Sequence, residues 1–303
     1  MTDVVDFIIK NKIGRYSENE SLAKHTTYKT GGNASVIVYP KDEKKLILLL
    51  KELKSKNIKH KILGKGSNTL FSDKDYTGVI IKLDNFNKIE LLRGKIKAGS
   101  GVSLAFLSNF TVKKGFSNLE FATGIPGSIG GAVYMNAGAY KSDMGYVVEK
   151  IKVLTPNYEV ITMTNSELDF HYRTSFLMKH PGYICLEATI KLKKAPNKEE
   201  LLEIVKDRKE RRISSQPLEY PSCGSVFRNP EGDFAGRLIE SLGYKGLRKG
   251  GAMVSSKHAN FVINYKNATS EDIRSLILFL KEEVKEKYNI DLKIEQEFVG
   301  WDE

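Results

Sequence analysis

Cysteine is nearly missing from this chain: Cys185 and Cys223 are the only two in 303 residues. Two thiols cannot build the disulfide framework of a small secreted scaffold, so a reduced compartment is expected. A basic start followed by an apolar stretch is missing too, since Met1-Thr2-Asp3-Val4-Val5-Asp6 carries two acids. The expectation is therefore a cytoplasmic protein. Long hydrophobic runs are lacking: Leu46–Leu50 and Leu276–Leu280 are the longest, far short of the roughly 20 residues that span a bilayer. No membrane insertion is expected. There is no internal repeat and no low-complexity tract, and no set of metal ligands is assigned. Two common nucleotide fingerprints fail as well. The turn Gly64-Lys65-Gly66-Ser67-Asn68 lacks the Gly-Lys-Ser/Thr spacing of a P-loop, and it is not Gly-x-Gly-x-x-Gly.

Positive charge is what the chain has in excess, with 48 Lys and Arg against 37 Asp and Glu, a net +11. These cations are mostly lysines spread along the chain and interleaved with acids. A nucleic-acid binder would cluster them with arginines and aromatics on one element. A lysine-rich surface, or attraction of a small polyanion, fits better, and no nucleic-acid partner is expected. At this length two or three domains are expected.

Apolar periodicity predicts helices over 3–13, 42–56, 103–113, 198–213 and 269–288, with a further one starting at Ala235. Strand patterns occur at 35–40, 60–63 and 79–83, and residues 88–100 read as a hairpin. Further strands are predicted at 147–154, 158–162, 183–192 and 292–300, and 250–264 closes with one. The polar stretch 16–27 carries no element in this reading. Composition changes at Lys193–Lys198, where a domain boundary is plausible.

The stretch Ala122–Tyr140 stands apart. It holds five glycines and one proline, and no charged residue. So many glycines argue against a good helix or strand, while the apolar content argues against a solvated linker. Backbone that approaches a partner closely remains, either a bound cofactor or a tight loop crossing. The Gly64–Asn68 turn is open to the same two readings, because successive N–H groups in a glycine-rich bend form an anion site.

Several segments, in order, carry a resemblance to a known family. They are Tyr28-Lys29-Thr30-Gly31-Gly32, Gly64-Lys65-Gly66-Ser67-Asn68, Gly124-Ile125-Pro126-Gly127-Ser128-Ile129-Gly130-Gly131 and Tyr172-Arg173-Thr174-Ser175-Phe176. Pro221-Ser222-Cys223-Gly224-Ser225-Val226-Phe227-Arg228-Asn229-Pro230, Val254-Ser255-Ser256-Lys257-His258-Ala259 and the Glu-x-x-x-x-Gly of Glu295–Gly300 complete the set. Together they resemble the UDP-N-acetylenolpyruvoylglucosamine reductase family, in its shorter class. The resemblance implies an α+β protein: an FAD-binding domain of the vanillyl-alcohol-oxidase/PCMH type in two lobes, plus a C-terminal α+β substrate-binding domain. The lobes would be 1–85 and 86–195. The substrate domain would be 196–303, its closing strand 291–303 returning to the active site.

What the resemblance implies for chemistry is NADPH-dependent reduction of an enolpyruvyl UDP-sugar to UDP-N-acetylmuramate through FAD, in peptidoglycan precursor synthesis. The family's arginine, serine and glutamate match Arg173, Ser225 and Glu295. Cofactor contacts are expected from Tyr28, Gly64, Gly66, Ser67, Asn68, Gly124, Pro126, Gly127, Ser128 and Gly131. Substrate contacts are expected from Tyr172, Asn229 and Arg212, with Arg211, Lys257 and His258 as weaker candidates. The family places its glutamate five residues before the closing glycine, which selects Glu295 over Glu297. This chain departs from the family just there, with Gln296 and Glu297 where an apolar residue and commonly a basic one stand. The partners implied are NADPH and the UDP-sugar, for a monomer or weak oligomer. Two other functions stay open at this stage: an FAD oxidase or dehydrogenase acting on another sugar or hydroxy acid, and a non-enzymatic polyanion binder.

Overall fold

A computed structural model of the chain describes residues 1–301, so the last two residues of the expected closing segment lie outside the described residues. The chain divides into two compact units. The first comprises residues 1–18, 36–65 and 78–210, and the second 19–35, 66–77 and 211–303.

In the first unit, the helices Thr2–Lys10 and Glu43–Ser55 bury Val4, Val5, Ile8, Leu46, Leu49, Leu50 and Leu53. The Asp42 side chain accepts from Lys45 N–H and so caps the second of them. Their partner is a sheet in the order Gly14–Ser21, Asn33–Pro40, Tyr76–Ile81, His60–Ile62. The segment 16–27 is thus partly a strand: Gly14–Ser21 mixes intermediate and exposed residues without regular alternation or an apolar face, so periodicity had nothing to register.

The same unit holds a five-stranded antiparallel sheet in the order Val160–Thr164, Val148–Leu154, Ile184–Lys191, Lys95–Gly99, Ile89–Leu92. The helix Leu104–Lys113 starts at the Ser103 cap. The glycine stretch contains a real helix, Ile129–Met135, despite Gly130 and Gly131. Two features outweigh the propensity cost. Ser128 caps it through Gly131 N–H, and Gly130 donates to the Ser100 carbonyl at 2.9 Å. A Cβ on Gly130 would sit 3.0 Å from the Ser100 Cβ. Glycine is there because two backbones meet.

In the second unit the strands Arg248–Lys249, Ala252–Val254 and Val262–Asn264 form an antiparallel sheet. The helix Ser270–Tyr288 buries Ile273, Leu276, Ile277, Leu280 and Val284 and opens on a capping box of Thr269 and Asp272. The C-terminal segment differs from the single long strand expected. Ile294 forms an isolated antiparallel bridge with Phe227, and only Glu297–Val299 is a strand, parallel to Thr69–Phe71. The segment changes partner between these points, while Gln296 is buried between the half-buried Glu295 and Glu297.

Leu280 is fully buried, so Leu280→Ala should lose about 2–5 kcal/mol of stability. Urea unfolding followed by circular dichroism measures it; an unchanged midpoint would show that this helix face is not core.

Candidate active site

In the first unit, the two glycine-rich segments meet. A Cβ on Gly64 would lie 2.8 Å from Ser128 Oγ, so the Gly64 turn and the Ser128 cap approach each other with no side chain between. Gly127 accepts from Leu104 N–H at 3.0 Å and Ile129 donates to Val102 O at 2.9 Å, which fixes this loop on both sides. Lys82 adds a feature the sequence reading missed. It is 4% exposed, and its Nζ donates to the Gly64 carbonyl at 2.7 Å. The available signal was a lysine ending the apolar run Val79-Ile80-Ile81.

This donor set fits the diphosphate of FAD. Glycine backbone that a ligand can approach closely, with the Lys82 ammonium behind Gly64, suits an anionic group, although the Ile129, Gly130 and Gly131 N–H groups are already bonded within the protein. Ser100 Oγ, buried beside the same helix, has no hydrogen-bond partner among the described residues. The residues present therefore suit the group.

Arg173 sits in the first unit on a tight turn, with His171 and Thr174 exchanging backbone hydrogen bonds of 3.1 Å. Its φ is +55° and its Nη2 donates to Gly138 O at 2.9 Å. Its guanidinium lies 5.1 Å from the exposed Tyr172 ring. The turn is anchored by Asn136, which is 1% exposed. Its Nδ2 donates to His171 O at 2.8 Å and its Oδ1 accepts from Gly145 N–H at 2.9 Å. So the end of the glycine stretch holds the arginine turn in place.

Ser225 and Glu295 both lie in the second unit, and backbone bonds bring their segments together. Glu295 N–H donates to Val226 O at 2.8 Å, and Asn68 Nδ2 donates to Glu295 O at 3.0 Å. Asn68 O accepts in turn from Glu297 N–H at 2.9 Å. Asn260 secures the Ser225 side, since its amide bonds both the N–H and the carbonyl of Phe227. Gly66 O accepts from Thr27 N–H at 3.1 Å. Tyr28 is fully buried, its hydroxyl donating to Gln296 Oε1 at 2.9 Å, and burial pushes its pKa well up. Cys223, beside Ser225, is held by Thr27 and the carbonyls of Gly66 and Thr69. Burial raises its thiol to about 11, which keeps it protonated and unreactive.

Of the substrate candidates, Asn229 accepts from Ala235 N–H at 3.2 Å at the start of the helix Ala235–Ser241. Arg212 lies near the end of the helix Lys198–Ser215. Lys257 Nζ donates to Ile213 O at 3.0 Å and pairs with Glu219 at 3.4 Å. His258 Nδ1 accepts from Asn260 N–H at 3.2 Å. Among the described residues, no group of three or more His, Cys, Asp and Glu could hold a metal ion, and no helix is long and apolar enough to cross a membrane.

Comparison with known proteins matches residues 34–164 to an FAD binding domain and residues 216–299 to the C-terminal domain of UDP-N-acetylenolpyruvoylglucosamine reductase. The chain is 41% identical over 302 residues to UDP-N-acetylenolpyruvoylglucosamine reductase 1 of Bacillus cereus, covering 99% of this chain and 100% of that protein. It is 42% identical to the reductase of Bacillus licheniformis over 99% of each. Among solved structures it resembles the UDP-N-acetylenolpyruvylglucosamine reductase from Thermus caldophilus, with a TM-score of 0.79 and 32% identity, covering 94% of this chain and 98% of that one.

Burial lowers the His258 pKa from its usual range, and its Nδ1 acts as an acceptor, which requires the neutral ring. The unfolded chain thus binds the proton more readily. Stability from this group is full above about pH 6.5 and is lost as the pH falls below that value. Unfolding midpoints measured from pH 7.5 to 5 should decline, and His258→Gln should flatten the part of the slope below pH 6.5. An identical slope in the variant would refute the assignment.

Proposed function

Because the chain belongs to the UDP-N-acetylenolpyruvoylglucosamine reductase family, we propose a specific division of labour among its residues. The protein is an NADPH-dependent FAD oxidoreductase that reduces UDP-N-acetylglucosamine enolpyruvate to UDP-N-acetylmuramate, a step of peptidoglycan precursor synthesis. The observation that carries this reading is the match of both domains together with full-length similarity to reductases of that name.

FAD, when bound, supplies to the methylene carbon of the enol ether a hydride that originates in NADPH. Negative charge then collects on the carbon next to the carboxylate and spreads onto it as an enolate. Arg173 is the residue assigned to that carboxylate, its planar guanidinium matching two oxygens and stabilising the added charge. Glu295 shares the stabilisation as an acid. Ser225 gives its hydroxyl proton to the carbon on the face opposite the hydride and later recovers one from solvent. A serine can act as the acid because the enolate is strongly basic. Glu295 is chosen over Glu297 on the family's spacing, five residues before the closing Gly300.

Gly64, Gly124, Pro126, Gly127, Ser128 and Gly131 are assigned to the diphosphate and its surroundings, with Lys82 behind Gly64. Tyr28, Gly66, Ser67 and Asn68 are assigned to the cofactor as well. Tyr172, Asn229 and Arg212 are assigned to the substrate. The domain reading kept here is two cofactor lobes, 1–85 and 86–195, followed by a substrate domain from 196. Cytoplasmic location suits a soluble nucleotide-sugar substrate, and a monomer or weak oligomer is proposed. The net charge of +11 favours capture of two polyanionic substrates.

Anaerobic NADPH should bleach the flavin, and the enolpyruvyl UDP-sugar should restore its colour; no reoxidation would overturn the substrate assignment. Ser225→Ala and Glu295→Gln should each slow reoxidation by about 10²–10⁴-fold, with flavin reduction unchanged. Glu297→Gln should remain close to the parent rate, and a larger loss at 297 than at 295 would reverse the choice of glutamate.

A further inference from the structure

Gln296 is 5% exposed, next in sequence to Glu295, and none of the roles above uses it. Its carboxamide is engaged on both ends. Oε1 accepts from the Tyr28 hydroxyl at 2.9 Å, and Nε2 faces the carbonyls of Cys223 at 3.4 Å and Ser225 at 3.5 Å. Those two carbonyls flank Gly224, whose φ is +75°. A primary amide has two N–H donors, which match two carbonyls. Its oxygen meets a phenol that is neutral at working pH, because burial raises the Tyr28 pKa. The orientation is therefore unambiguous: turning the amide over would aim oxygen at two carbonyl oxygens and nitrogen at a donor.

The geometry points to Gln296 as a positioning residue for the proton-delivery step, bracing the Gly224 turn so that the Ser225 hydroxyl is presented from a fixed backbone. The inference rests on the reading of Ser225 as the proton donor. One residue thus ties the serine turn to the segment that carries Glu295. Main-chain bonds from Glu295 N–H to Val226 O and from Arg228 N–H to Lys293 O pair the two segments C-terminal to the turn. The Gln296 side chain adds contacts at the Gly224 turn itself, which those main-chain bonds do not reach. Small errors in placing a reacting group cost large factors in rate.

The test uses the full-length holoenzyme and separates the two half-reactions by stopped flow. Gln296→Met keeps the volume and removes both donors and the acceptor. It should slow reoxidation by the enolpyruvyl UDP-sugar about 10–100-fold, the usual loss for outer contacts that orient a working group. Flavin reduction by NADPH and flavin content should be unchanged, and the solvent deuterium effect on reoxidation should rise. Gln296→Glu keeps the shape but sets an oxygen against two carbonyls, so that oxygen must carry a proton. Its reoxidation rate, relative to the parent, should recover as the pH is lowered, and this arm decides the matter if the Met variant fails to fold. Parent-like reoxidation in Gln296→Met, or a Glu variant whose rate relative to the parent is flat with pH, would overturn the inference even if both lower the unfolding temperature. Ser225→Ala run alongside distinguishes the two readings. A fast Ser225→Ala overturns the proton-donor assignment and this inference with it, whereas a slow Ser225→Ala beside a fast Gln296→Met overturns the inference alone.

Discussion

The need to satisfy backbone hydrogen bonds in the C-terminal segment governs the second unit. Residues 294–297 are too few to form structure alone, yet their amides and carbonyls leave solvent and must find partners. They take them from two places far away in sequence: Val226 and Phe227 on one side, Asn68 and Thr69 on the other. Asn68 contributes its side-chain amide to Glu295 O and its carbonyl to Glu297 N–H. This is why residues 66–77 group with 211–303 rather than with the residues around them. The same clasp pairs the segment that carries Ser225 with the segment that carries Glu295 through main-chain bonds.

The first unit is organised by close approach. Gly64 meets Ser128 and Gly130 meets Ser100 at distances a side chain would prevent. Side-chain amides and an ammonium then tie the loose ends: Lys82 to Gly64, Asn136 to His171 and Gly145, and Arg173 to Gly138. One stretch thereby serves two purposes. Its first half is shaped to admit an anionic group, and its second half anchors the turn that carries the arginine.

Much of this was legible without coordinates. Helices such as Glu43–Ser55 and Ser270–Tyr288 announce themselves through apolar spacing and caps, which are properties of a few neighbouring residues. The hairpin of Ile89–Leu92 with Lys95–Gly99 is local in the same sense. The site assignments rest on the ordered set of motifs, since a lone serine, arginine or glutamate carries no signal of its role. Three features were not legible. Gly14–Ser21 is a strand without an apolar face. Ile129–Met135 is a helix against its own propensity, because the Ser128 cap and packing on Ser100 outweigh two glycines. The tail changes partners midway, which alternation along it does not reveal.

The amino-acid sequence by itself determined the family, the α+β class and most of the element order, because these depend on local periodicity and on motifs kept in order. Only the tertiary structure decided that Lys82 is buried behind Gly64, that Asn136 bonds the Arg173 turn, and that the Gln296 amide lies against the Cys223 and Ser225 carbonyls. Each of those depends on which distant backbone groups come to lie opposite a side chain and need a hydrogen bond, and that is settled only when the chain has closed on itself.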